Sequence, residues 1–159
     1  MVFAIIRGTP LGGATHVMAS LVKAEKRPIY STAPFLFEHN KLEIEELAGI
    51  RNSVVALDFP GELLTTAPEL SPEKKELLLA VHQSKYMRNV IYVTSTSTFP
   101  IDERFYVLCD YFIFCYPFSS GLVKFSMVNM RNGGETVYFN LNVLATKRML
   151  AYLPIEGAR

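Results

Sequence analysis

The sequence predicts an α/β protein with a mostly parallel sheet flanked by helices and closed by a C-terminal β-hairpin and helix. Three observations predict it. Apolar, β-branched runs at Val2–Arg7, Ser53–Asp58 and Asn89–Thr94 alternate with helical patterns, as buried parallel strands do. The first run empties into a glycine-rich turn, Gly8-Thr9-Pro10-Leu11-Gly12-Gly13-Ala14-Thr15, and an amphipathic stretch follows. Near the other end, Arg131-Asn132-Gly133-Gly134-Glu135 separates two strand-like runs and reads as a hairpin turn.

The elements follow in order. After the first strand, Val17, Met18, Leu21 and Val22 form a stripe of helical spacing, which predicts a helix over Thr15–Lys26. Pro28–Ser31 reads as a short second strand. Residues 32–50 are irregular, with a short helix at Ile44–Leu47 and a solvated acidic run at Glu43, Glu45 and Glu46. Ser71-Pro72-Glu73 opens a helix that runs to Tyr86: serine at the N-cap, proline in the first turn, an acid beside it. The strand Asn89–Thr94 runs into a polar cluster, Thr94-Ser95-Thr96-Ser97-Thr98. A short helix at Ile101–Cys109 and a strand at Tyr111–Tyr116 come next. Strands at Val123–Met130 and Thr136–Leu141 flank the hairpin turn, and a last helix spans Asn142–Tyr152.

At 159 residues the chain has the size of one domain, taken as 1–159. Half of its residues are hydrophobic, with eleven Phe and eight Tyr, so a large core is expected. A net charge of +1 leaves no general basic footprint for nucleic acid or an anionic membrane. Cys109 and Cys115 lie in an apolar stretch and read as core residues in a reducing compartment. No apolar run reaches membrane-spanning length, and the N-terminus lacks the layout of a signal peptide. A cytoplasmic or virion-associated location is expected.

The glycine turn follows the phosphate-loop pattern GxxxxGK[ST] with one departure: Ala14 stands where the lysine belongs. Glycines let successive N–H groups turn inward, and the following helix N-terminus adds its dipole, so such a turn attracts phosphate. Gly8, Thr9, Pro10, Gly12, Gly13, Ala14, Thr15 and His16 are therefore the candidate cofactor-binding residues. A charge-assisted hydrogen bond contributes about 1.5–3 kcal/mol, so loss of the lysine should weaken phosphate binding about ten- to a hundredfold. Hydrolysis should suffer more, because charge builds on the transferring phosphoryl oxygens.

In an open α/β sheet, ligands bind at the carboxyl ends of the strands. Three strands end there in chemistry: one in the glycine turn, one in Asp58, one in Ser95 and Thr96. Thr15 and Asp58 are the candidate metal ligands, since a hydroxyl and a carboxylate suit Mg²⁺. Ser95 and Thr96 are candidate sensors of the terminal phosphate. The set matches a P-loop NTPase, with ATP or another nucleoside triphosphate and Mg as cofactors. Each residue also has a purely structural reading. Thr15 can be an ordinary first-turn residue, Asp58 a strand-end cap, and Ser95 and Thr96 ordinary strand-end polar groups. His16 reads as a surface or packing residue. No Ser/His/Asp or Cys/His arrangement stands out, and the histidines are too scattered for a metal site.

These residues resemble the zonula occludens toxin-like ATPases of filamentous phages, relatives of the FtsK/HerA DNA-pumping group. The similarity is carried by GTPLGGATHVMASLV, by SVVALD and by RNVIYVTSTSTFPIDERFYVLCDYFIF, and it covers residues 2–117. The last segment is similar to the family's succession of a strand, a polar sensor, a short helix opening Ile-Asp-x-Arg, and a strand opened by Asp-Tyr. The resemblance implies a component of a viral or mobile-element assembly or DNA-packaging machine. It implies assembly partners, a homo-oligomer, and contact with nucleic acid through the machine.

The departures point to lost chemistry. Beside Ala14, Phe59 follows Asp58 where the family carries a water-polarising glutamate. Glu62 is the nearest downstream acid, and the Pro60-Gly61 turn could swing it back, so it is a candidate catalytic residue. Arg104 is the other, as an arginine finger across a subunit boundary; its alternative is a salt bridge with Asp102 or Glu103. The membrane-spanning segment that follows the ATPase region in the phage proteins is missing from this sequence. Three readings stay open: a nucleotide-binding component with weak or no ATP hydrolysis, a binding or structural module that kept the fold and no longer binds nucleotide, and an unrelated α/β protein with a chance glycine turn.

Overall fold

In the computed structural model, residues 2–10, 12–58, 61–96, 98, 100–119 and 122–142 are described. Their strands are β1 (Val2–Gly8), β2 (Ile29–Ser31), β3 (Asn40–Lys41), β4 (Val54–Leu57), β5 (Val90–Thr96), β6 (Tyr111–Ser119), β7 (Leu122–Asn129) and β8 (Thr136–Asn142). Their helices are α1 (Ala14–Lys23), α2 (Gly61–Leu64), α3 (Pro72–Met87) and α4 (Glu103–Leu108), with a 3₁₀ turn at Ile44–Gly49. The strands form one sheet in the order β3-β2-β4-β5-β1-β6-β7-β8. Pairing is parallel from β3 through β6 and antiparallel across β6-β7-β8. This is the expected α/β P-loop NTPase-like sheet, with β4 and β5 in its interior.

Side-chain alternation divides the core. Successive residues of a strand point to opposite faces. On one face Ala4 and Ile6 of β1, Val54 and Ala56 of β4, and Ile113 and Cys115 of β6 pack under Val17, Met18 and Val22 of α1. On the other, Phe3, Ile5, Val55, Leu57, Ile91, Val93 and Phe112 pack under Leu77 and Val81 of α3 and Phe105 of α4. The apolar runs are continuous in sequence because both faces are covered.

Several boundaries differ from expectation. α1 closes at Lys23, because the Ala24 and Glu25 N–H groups donate three residues back, to Leu21 and Val22 (3.3 and 3.1 Å). A last turn tightened in this way ends the helix. α4 starts at Glu103, because Asp102 is its cap and accepts from the Arg104 N–H at 3.0 Å. β3 and α2 were not expected. β3 is two exposed residues with no apolar pattern, and α2 is a four-residue turn. Of the helix expected at Asn142–Tyr152, Asn142 ends β8, and the rest lies outside the described residues.

Candidate functional site

The strand order brings the sequence candidates to one end of the sheet. β5 lies between β1 and β4, in parallel with both. Leu57 is level with Val93, so Asp58, one residue on, emerges beside Thr94. Gly8 is level with Thr96 on one side and with Cys115 on the other. The glycine turn therefore rises between the ends of β5 and β6, next to Asp58.

Local backbone demands explain two glycines. Gly12 closes the turn by donating its N–H to the Thr9 carbonyl at 2.7 Å, and a Cβ there would sit 2.7 Å from the Thr9 oxygens. Gly13 has φ +89°, in the left-handed region, and a Cβ there would lie 2.5 Å from Val123 Cγ2. The start of β7 is thus packed directly against the N-cap of α1. Gly13 offers no side-chain cap, and the first turn of α1 holds no acid, so no carboxylate of that turn neutralises the helix dipole.

Asp58 is the centre of the polar contacts. Its Oδ1 accepts from the Thr15 hydroxyl at 2.9 Å and from the Thr94 hydroxyl at 2.7 Å. Its N–H donates to the Thr32 hydroxyl at 2.9 Å. α1, β5 and the segment after β2 thus all converge on the residue that ends β4. Two oxygen ligands in cis positions of an Mg²⁺ octahedron lie about 2.9 Å apart at ordinary Mg–O distances. The Thr15 hydroxyl and Asp58 Oδ1 lie at that spacing through their own hydrogen bond, and both are hard oxygen donors of the kind a hydrated Mg²⁺ takes. Among the described residues no group of three His, Cys, Asp or Glu could hold a metal. An ion here would take its remaining ligands from water and phosphate.

The other candidates fall as follows. Thr9 and Pro10 are exposed at the crest of the turn, and His16 is half-buried in the first turn of α1. Ala14 is half-buried and its methyl packs against the α1-side core, so it brings no charge. Ser95 is buried and donates to the Thr96 carbonyl at 3.3 Å. Thr96 shares a hydrogen bond with Thr98 at 2.9 Å. Glu62 sits in α2, on the segment that leaves β4; its side chain lies outside the described atoms. Arg104 embraces Asp102, Nε to Oδ1 at 2.8 Å and a terminal nitrogen to Oδ2 at 2.5 Å. That guanidinium, helped by Lys74 and opposed by burial, holds the Asp102 carboxyl well below the usual carboxylate range. Burial pushes the Cys115 thiol, beside Gly8, up to about 12, so it stays protonated.

Sequence reasoning missed Thr94 and Thr32. Thr94 carried a usable signal: it closes the apolar run Asn89–Thr94 and opens the polar cluster that follows. Thr32 lies in an irregular stretch and carried none.

No protein-family model matches the chain, and no curated protein matches it in sequence. Solved structures do match. The chain is similar to the N-terminal domain of zonular occludens toxin from Neisseria meningitidis, with a TM-score of 0.65 and 13% identity, covering 92% of this chain and 97% of that one. It is also similar to the genome packaging NTPase B204 from Sulfolobus turreted icosahedral virus 2 in complex with ATP-gammaS. There the TM-score is 0.60 and identity 10%, covering 86% of this chain and 96% of that one. The flagellar accessory protein FlaH from Methanocaldococcus jannaschii matches with a TM-score of 0.50, 12% identity, and coverage of 87% and 84%. Sheet order, glycine turn and these structural relatives agree: the chain has the P-loop NTPase fold.

Proposed function

We propose that this chain binds a nucleoside triphosphate with Mg²⁺ at the glycine turn, hydrolyses it very slowly or not at all, and serves in a viral or mobile-element assembly or DNA-packaging machine. The single observation that carries the reading is the convergence of Thr15 and Thr94 on Asp58 beside the glycine turn that ends β1. A structural relative solved with ATP-gammaS is a genome packaging NTPase. That role comes to this chain as a proposal.

The residues divide the work. Backbone N–H groups of the turn and of the first turn of α1 would bind the phosphates. Thr15 and Asp58 would hold the metal, and Mg²⁺ supplies charge neutralisation between the phosphates when bound. Thr94 orients the Asp58 carboxylate through its hydroxyl hydrogen bond. Ser95 and Thr96 are proposed near the terminal phosphate, Arg104 as an arginine finger across a subunit boundary, and Glu62 as the acid nearest an attacking water. Assembly partners, a homo-oligomer and a cytoplasmic or virion-associated place follow from the same reading. Among the described residues no helix is long and apolar enough to cross a membrane.

Ala14 sets the expected weakness. Lysine would contact the transferring phosphoryl group, so its loss acts on the ground state and more on the transition state. The test is steady-state phosphate release and ATP binding by the unaltered chain and by Ala14→Lys. The reading expects Ala14→Lys to tighten binding about tenfold or more while turnover rises less, because Phe59 still stands where the water-polarising glutamate belongs. Brisk turnover by the unaltered chain, abolished by Asp58→Ala, would overturn the claim of lost hydrolysis.

A further inference from the structure

Lys74, in the first turn of α3, is 2% exposed. A buried ammonium is unfavourable unless it is paired and hydrogen-bonded. This one meets the Thr65 carbonyl, pairs with Asp102 Oδ2 at 2.8 Å, and lies 5.9 Å from the centre of the Phe105 ring. Its two polar partners belong to different segments. Thr65 follows α2, on the chain that leaves β4 after Asp58. Asp102 caps α4, on the chain that leaves β5 after Thr96. The same two segments touch through the backbone: the Asp102 N–H donates to the Leu64 carbonyl at 2.7 Å, and Thr65 forms an antiparallel bridge with Ile101.

We propose that Lys74 is a positioning residue that locks the segments following Asp58 and Thr96 into one unit, so that both exits of the phosphate end of the site move together. An apolar residue at 74 would fill the space without the desolvation cost, but it would bind neither the Thr65 carbonyl nor the Asp102 carboxylate. Arg104 cannot do the same work, because its contacts with Asp102 stay within one segment. Only the consequence for ligand affinity rests on the nucleotide reading; the mechanical coupling does not.

The test compares amide hydrogen exchange in the full chain, without ligand, for the unaltered protein, Lys74→Met and Arg104→Met. Lys74→Met leaves Asp102 paired with Arg104, so no buried carboxylate is stranded and the fold should persist. Exchange over 61–66 and 100–104 should rise together, about tenfold or more, with β1 and α1 unchanged. Arg104→Met should leave 61–66 as in the unaltered protein. Asp102→Asn, which keeps the α4 cap but weakens the pairing with Lys74, gives an independent second variant and should also raise both segments. A rise in one segment alone, in neither, or throughout the sheet overturns the proposal. With Mg²⁺ and ATPγS added, Lys74→Met should bind about fivefold more weakly than the unaltered chain. If the unaltered chain binds no nucleotide, the nucleotide reading fails and the exchange comparison still decides the coupling.

Discussion

Asp58, one residue past the end of β4, stands beside Thr94 of the adjacent parallel strand β5, and the Thr94 hydroxyl donates to Asp58 Oδ1 at 2.7 Å. The same oxygen accepts from Thr15 at 2.9 Å. One carboxylate oxygen thus ties β5 and the first turn of α1 to the end of β4. The arrangement ranks the hydroxyls of the polar cluster. Thr94→Val should weaken Mg-dependent ATP binding about tenfold, or ~1.4 kcal/mol. Ser95→Ala removes a hydroxyl committed to the Thr96 carbonyl and should change affinity less than about twofold. Titration of both variants with labelled ATP decides it, and the reverse order would mean that the Ser95 hydroxyl, and not the Thr94–Asp58 bond, governs affinity.

Gly13 should tolerate no side chain. Its left-handed φ disfavours any L-residue by about 1–2 kcal/mol. A Cβ would also press on Val123 at 2.5 Å, and overpacking of that kind costs about 1–3 kcal/mol. Gly13→Ala should therefore lower unfolding free energy by about 2–5 kcal/mol. Pairing it with Val123→Ala should recover the packing part only. Urea denaturation of the three proteins measures both contributions.

Much of this site was legible from sequence because its chemistry sits at the ends of apolar strands. The turn from Gly8 to Thr15 and the acid closing SVVALD announce themselves by position. Thr94 was hidden among five consecutive hydroxyl residues. Choosing between them needs the register of β5 against β4, which pairing sets and composition does not. β3 has two exposed residues, so no hydrophobic pattern marks it. Nothing in the sequence marks Lys74 as a buried residue, since lysines are rarely buried. Its partners lie nine and 28 positions away, at Thr65 and Asp102, and only the folded chain brings them together.

Acid should expose the contribution of Asp102. Its carboxyl is held below the usual range in the folded state, first by Arg104 and then by Lys74, against the opposing effect of burial. A depressed folded value gives stability that is present above the unfolded value, about 4, and is lost as pH falls below it. The unaltered protein should therefore lose stability between about pH 4 and about pH 2 more steeply than Asp102→Asn. Urea midpoints across that range measure the difference, and parallel curves would mean that Asp102 gains nothing from its partners.

The central claim is a metal-dependent nucleotide site built on Asp58. Because Ala14 supplies no charge, the metal must offset the phosphates, so binding should be strictly Mg²⁺-dependent. The most direct measurement is a titration of the full chain with labelled ATP, in Mg²⁺ and in EDTA, alongside Asp58→Ala. The account predicts weak saturable binding in Mg²⁺, none in EDTA, and none for Asp58→Ala. Equal binding in EDTA, binding that survives Asp58→Ala, or no binding by the unaltered chain would contradict it.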